Sequence, residues 1–246
     1  MDRRRYEEFS ALREAFRRKV RDWSEAVPEL RSLQEKLRAD RGYDDYTVET
    51  PVVYNRALDD IGPESRPRWI LVADNPGKNE QKTRNLRYLV GQSGKLAESF
   101  FRGKLGTDFR SEVLIINKTP VHTPKTAELA MLRALDPSGR VEALLKESQT
   151  WMAGLARAAQ DALDIPVWIS GRSELKPKGI FGPWFREFSR LYRDAPAAVR
   201  EGVLVFNHFS MNQFSIELRR KIDPGKPLLE ELHRIGSENR REIFGF

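Results

Sequence analysis

Four short, uninterrupted apolar runs, each closed by polar residues, constrain this chain most: Trp69-Ile-Leu-Val-Ala73, Val113-Leu-Ile-Ile116, Pro166-Val-Trp-Ile169 and Val203-Leu-Val-Phe206. Continuous rather than alternating hydrophobicity marks strands covered on both faces, as in a parallel sheet packed between helices. The segments between them, roughly 93–102, 126–134, 140–163 and 182–194, carry helical spacing, and a last helix is expected near 226–241. Strand and helix in alternation is the pattern of a doubly wound α/β layer.

The residues that close each run point to a site. The first run ends in Asp74-Asn75-Pro76-Gly77 and the second in Asn117-Lys118-Thr119-Pro120. The third ends in Ser170-Gly171-Arg172-Ser173 and the fourth in Asn207-His208-Phe209-Ser210. Open parallel sheets bind ligands in the crevice beyond the carboxyl ends of their strands. Turn formers would account for one or two such ends. Four polar ends, one with a histidine, favour a binding crevice.

Ahead of the first run, Phe9, Leu12, Phe16, Val20 and Trp23 recur every three or four residues, the spacing of one helix face. Pro28 is expected to start a second helix with Leu30, Leu33 and Leu37 inward. Residues 41–68, with Gly42, Pro51, Gly62, Pro63 and Pro67, read as an irregular connector. The expected organisation is a helical extension over residues 1–45 and an α/β domain over 46–246.

The 246 residues carry a net charge of +7, with 32% charged and 39% hydrophobic residues. A basic surface attracts polyanions, of which nucleic acid is the commonest in a cell. No apolar stretch approaches the ~20 residues that span a bilayer, and the charged start Met1-Asp2-Arg3-Arg4-Arg5 is unlike a signal peptide. Zero cysteines exclude disulfides, thiolate metal sites and cysteine-bound iron–sulfur clusters. A cytoplasmic monomer without metal or cofactor is expected.

Taken in order, the motifs resemble those of the uracil-DNA glycosylase superfamily. Asp74-Asn75-Pro76-Gly77 is similar to the first active-site motif, which is Asn-Pro-Gly in the mismatch-specific and single-strand-selective branches. Val90-Gly91-Gln92-Ser93-Gly94-Lys95-Leu96 resembles the Val-Gly-Arg-Ser-Gly-type segment of the thermophilic branches. Val113-Leu-Ile-Ile-Asn117 resembles the strand that ends in the base-reading asparagine. Trp168-Ile-Ser-Gly171 with Lys176 and Lys178 resembles the next strand and its basic loop, and Asn207-His208-Phe209-Ser210 the His-Pro-Ser motif. The likeness spans about 69–215. It implies a three-layer α/β/α fold whose central four-stranded parallel sheet has the order 2-1-3-4.

The resemblance also implies roles in cleaving an N-glycosidic bond of DNA. Asn75, with Asp74 beside it, holds the attacking water and supports the cationic sugar, as carboxylates do in glycoside hydrolysis. His208 donates a hydrogen bond to the base oxygen that becomes negative. Asn117 reads the pyrimidine edge with one acceptor and two donors. Tyr88 is the nearest aromatic shelf for a flipped base, although the family's phenylalanine aligns better with Leu89. Ser93, Ser210, Lys176 and Lys178 contact phosphates, and Met211 or Phe214 wedges into the duplex. Alternatives remain for each: Asp74 and Asn75 as a turn around Pro76, Asn117 as a cap, the lysines as ordinary surface charge. Three departures, His-Phe-Ser for His-Pro-Ser, Ala73 for glycine and the missing cluster cysteines, leave room for a divergent enzyme or for a binder without catalysis. An α/β enzyme acting on a nucleotide-like small molecule is a third reading.

Overall fold

A computed structural model describes residues 1–246. Two helices, α1 (Arg3–Ala26) and α2 (Leu30–Asp40), lead through the connector into β1 (Trp69–Ala73), α3 (Gln92–Leu105) and β2 (Val113–Asn117). Then come α4 (Glu128–Ala134), α5 (Arg140–Leu163), β3 (Val167–Ser170), α6 (Gly182–Arg193) and α7 (Ala197–Glu201). The chain closes with β4 (Val203–Phe206), α8 (Gln213–Lys221) and α9 (Leu228–Phe244). All four apolar runs are strands. They form one parallel sheet in the order β2-β1-β3-β4.

Side chains alternate between two packed faces. Ile70, Val72, Leu114, Ile116, Val167, Ile169, Val203 and Val205 share one cluster with α5 and α6. Leu71, Ala73, Val113, Ile115, Trp168, Leu204 and Phe206 face α3, α8 and α9. Both faces are dry, which is why the runs carry no polar residues at alternate positions. The pairs Ala73 with Asn117, Val72 with Ile169 and Ser170 with Phe206 bring the four carboxyl ends to one edge.

On α1 the expected stripe is buried at Phe9, Phe16, Val20 and Trp23. It packs on α5 rather than on the sheet, with Phe16 and Trp23 each 5.6 Å from the Trp151 ring. The helix is therefore a layer outside the helix that covers the strands. α2 is tied to the connector and to the chain beyond β2, since Gln34 Nε2 donates to the carbonyls of Pro51 and His122. No helix is long and apolar enough to cross a membrane.

After Ser210 the chain makes a left-handed turn before α8. Met211 and Asn212 adopt left-handed φ of 52° and 56°, and the chain then enters α8. Phe209, in place of the resemblance's proline, anchors this turn by burial. Its ring stacks 6.2 Å from Trp168 and lies 4.8 Å from Phe214.

Candidate active site

A cleft of about 600 Å³ lies beyond the carboxyl ends of β1, β3 and β4. Of the residues singled out from sequence, it gathers Asp74, Asn75, Leu89, Ser93, His208 and Ser210. Tyr88, Asn117, Lys176, Lys178 and Met211 are not among its lining residues.

Asp74 is fixed by groups that carry no signal in the sequence. Lys118 is fully buried, and its Nζ donates to Asp74 Oδ1 at 2.5 Å and to the Ser170 carbonyl at 2.6 Å. Its ammonium also lies 5.1 Å from the Phe181 ring and 5.9 Å from that of Trp184. The Lys118 N–H donates to the carbonyls of Ala73 and Asp74, which carries β1–β2 pairing one residue past Asn117. Alternation then turns Lys118 away from Asn117, under the end of β3. Thr126 Oγ1 donates to Asp74 Oδ2 at 3.3 Å. Gly171, at φ 89°, completes the cradle, since a Cβ there would stand 2.6 Å from Asp74 Oδ1.

Asn75 is held by its nitrogen. Nδ2 donates to Thr123 Oγ1 at 2.9 Å and to the Thr123 carbonyl at 3.3 Å, which leaves Oδ1 as an acceptor without a protein partner. His122 supports the same turn from below through a 2.9 Å bond between Nδ1 and the Pro76 carbonyl. Burial pushes His122 down to about 4, so it is neutral near pH 7.

At His208 the hydrogen bonds fix the tautomer. The Ser210 backbone N–H donates to Nδ1 at 3.0 Å, and Ser210 Oγ lies 2.7 Å from the same atom. Nδ1 is thus an acceptor, and the neutral ring carries its proton on Nε2. Burial holds this imidazole below its ordinary value, reinforced by the Lys118 charge and opposed by those of Asp74 and Glu174. The turn is positioned by Glu217 of α8. Its Oε2 accepts the Asn207 N–H at 2.8 Å and its Oε1 accepts from Asn239 of α9 at 2.8 Å.

Glu80 belongs to no motif, although it falls three residues after Gly77. It lines the cleft almost fully buried, and Gly77 N–H donates to its Oε2 at 3.2 Å. Burial raises its carboxyl to about 7, against the backbone N–H groups of Gly77, Leu89 and Val90. At neutral pH it is poised between donor and acceptor. The folded state binds this proton more tightly than the unfolded chain, so stability falls as pH rises from about 4.5 to 7 and then levels. The expected loss is about 3 kcal/mol, and Glu80→Gln should abolish it. Chemical denaturation of both proteins across this range is the check.

Leu89, not Tyr88, lines the cleft. The Tyr88 ring is buried in the core and its hydroxyl donates to the Val53 carbonyl at 2.6 Å, so the ring has no face to offer a base. Leu89 reaches the cleft through a left-handed φ of 53°, a costly backbone for a leucine. Arg110 holds it there by donating to the Leu89 and Tyr88 carbonyls at 2.8 and 3.2 Å. Gly94 permits the fit, as a Cβ would fall 1.6 Å from the Leu89 oxygen.

Asn117 is 1% exposed, and neither its Oδ1 nor its Nδ2 has a protein partner. It shares a face of the sheet with Ala73, its register partner, which lines the cleft. Leaving both ends of a buried amide unpaired costs several kcal/mol, and Asn117 is not among the residues that line the cleft.

No protein-family model matches this chain, and no curated protein is detectably similar to it in sequence.

The remaining sequence-derived residues divide. Met211 is 84% exposed on its left-handed turn, whereas Phe214 is buried among Phe100, Phe209 and Trp168. Of these two only Met211 is placed to wedge. Lys176 and Lys178 are exposed but do not line the cleft; Lys178 borders a separate hollow. No group of three or more His, Cys, Asp or Glu is arranged to hold a metal ion.

Proposed function

We propose that this protein is a DNA glycosylase of the uracil-DNA glycosylase superfamily, hydrolysing the N-glycosidic bond of uracil or another deaminated base. The observation that carries the reading is the meeting of three groups at one strand edge. They are an anchored Asn75 amide with a free oxygen beside Asp74, a neutral His208 with its proton on Nε2, and the unpartnered Asn117 amide. Breaking the bond puts positive charge on the sugar and negative charge on the base. Asn75 Oδ1 would hold the water and Asp74 would stabilise the cationic sugar, as paired carboxylates do in glycoside hydrolysis. His208 would meet the charge that grows on the base oxygen, and Asn117 would read the base edge. An asparagine orients water but is no strong base, so modest rates are expected. We place the enzyme in the cytoplasm as a monomer acting on DNA, with Ser93 and Ser210 at the phosphates.

One observation favours a second reading, a catalytically weak nucleic-acid binder on the same fold. No Phe, Tyr or Trp ring lines the cleft, whereas flipped bases are ordinarily stacked on one. Incubation with single- and double-stranded oligonucleotides bearing uracil, hypoxanthine or xanthine, followed by alkaline cleavage, separates the two. Scission at a modified base supports the glycosylase. Retained DNA binding with every strand intact supports the binder.

The base-reading role has its own consequence. Asn117→Asp exchanges a donor for an acceptor, and the uracil and cytosine edges present opposite patterns. The variant should shift preference from uracil toward cytosine by about 10-fold or more, since each polar pairing is worth ~1–3 kcal/mol. Rates on matched uracil and cytosine strands are the measurement.

A further inference from the structure

Outside the cleft, a hollow of about 350 Å³ lies between the end of α4, the first half of α5 and the start of α6. Arg133, Lys146, Lys178 and Arg186 border it, against a single acid, Glu142. Some cations elsewhere on this protein are matched by acids. Arg17 pairs with Glu14 and Asp59, Arg110 with Glu98, and Arg234 with Glu231 and Glu238. None of the four around the hollow makes an ion pair, although Glu142 stands among them. Exposed like charges drawn together without a counter-charge repel, and a polyanion relieves that repulsion.

The hollow and the cleft are built from the same two segments. The loop between β3 and α6 gives Gly171, Ser173 and Glu174 to the cleft, and Pro177 to Ile180 to the hollow. The segment through α4 gives Thr123 to Thr126 to the cleft and Arg133 to the hollow. Thr126 and Arg133 are seven residues apart through a turn and α4, a rise of about 10 Å, the axial length of about three nucleotides of duplex DNA.

We infer that this hollow is a second backbone-phosphate site, which grips the DNA strand about three nucleotides from the one seated in the cleft. The inference rests on the nucleic-acid reading above but not on catalysis. It assigns Arg133, Lys146 and Arg186 to the contact and gives Lys178 a role apart from the cleft. The phosphates would be held as charges, without reading sequence.

The test compares wild type with Arg133→Gln/Lys146→Gln, both exposed positions whose change leaves the core intact. Fluorescence anisotropy follows binding of a long single strand and of a trinucleotide over a range of salt. For the long strand, the variant should bind more weakly, with its logarithmic salt slope reduced by about 1.4, or 0.7 per lost phosphate contact. Trinucleotide binding should be unchanged, because it does not reach the hollow. An unchanged slope on the long strand, with wild type binding it, overturns the inference alone. No binding of either strand by wild type overturns the nucleic-acid reading and the inference together. An equal loss of binding to poly-glutamate would assign the hollow to acidic peptides and overturn it too.

Discussion

Replacing Lys118 with Met is expected to cost about 3–5 kcal/mol of folding stability, the usual consequence of stripping one partner from a buried ion pair. Lys118 is wholly enclosed, and its ammonium answers both the Asp74 carboxylate and the Ser170 carbonyl. Methionine fills the space between Phe181 and Trp184 but leaves both oxygens with an apolar neighbour. Asp74 keeps only the longer bond from Thr126. Because the cost lies in an unpaired charge rather than in lost volume, neutralising the partner should recover much of it. Lys118→Met/Asp74→Asn is expected to be more stable than Lys118→Met alone. Urea denaturation of the two singles, the double and wild type gives the coupling energy. A loss below about 1 kcal/mol, the range of exposed pairs, would mean that Lys118 reaches water.

His208→Ala is expected to slow base release about 100- to 1000-fold, the usual cost of losing one donor aimed at developing charge. DNA affinity should barely change, because the Nε2–H bond strengthens only as the base departs. The prediction depends on the neutral tautomer that the Ser210 N–H enforces. Asn75→Ala should act on the same step through the water, again with binding retained. Single-turnover rates beside equilibrium binding distinguish these effects from misfolding. If both variants match wild type, the strand-end residues are only turns.

The fold was legible because its signal is local and repeated. Four unbroken apolar runs require cover on both sides, and the cover is visible as helical spacing between them. The strand order came only with the resemblance, since pattern alone does not say which parallel strands adjoin. The site was legible in part for the same reason: residues directly after each strand must arrive at one edge, as Asp74, Asn75 and His208 do. Other assignments failed where tertiary contacts decide. Tyr88 is adjacent to Leu89, and only the left-handed turn held by Arg110 sends leucine to the cleft and tyrosine to the core. Lys118 carried no signal in the sequence, because a fully buried lysine is rare. It is buried because the ladder extends one residue and aims it at Asp74 from beneath. Glu80 and Glu217 stand on segments whose path the sequence does not fix.

The measurement that bears most directly on the central claim is release of free base. Wild-type protein is incubated with an oligonucleotide carrying a single labelled uracil, and the soluble label is separated from the strand. Free uracil and an abasic strand are expected in equal amounts, with release slowed by His208→Ala. A folded wild-type protein that binds the oligonucleotide, yet releases no base from uracil or any other deaminated base, would contradict it.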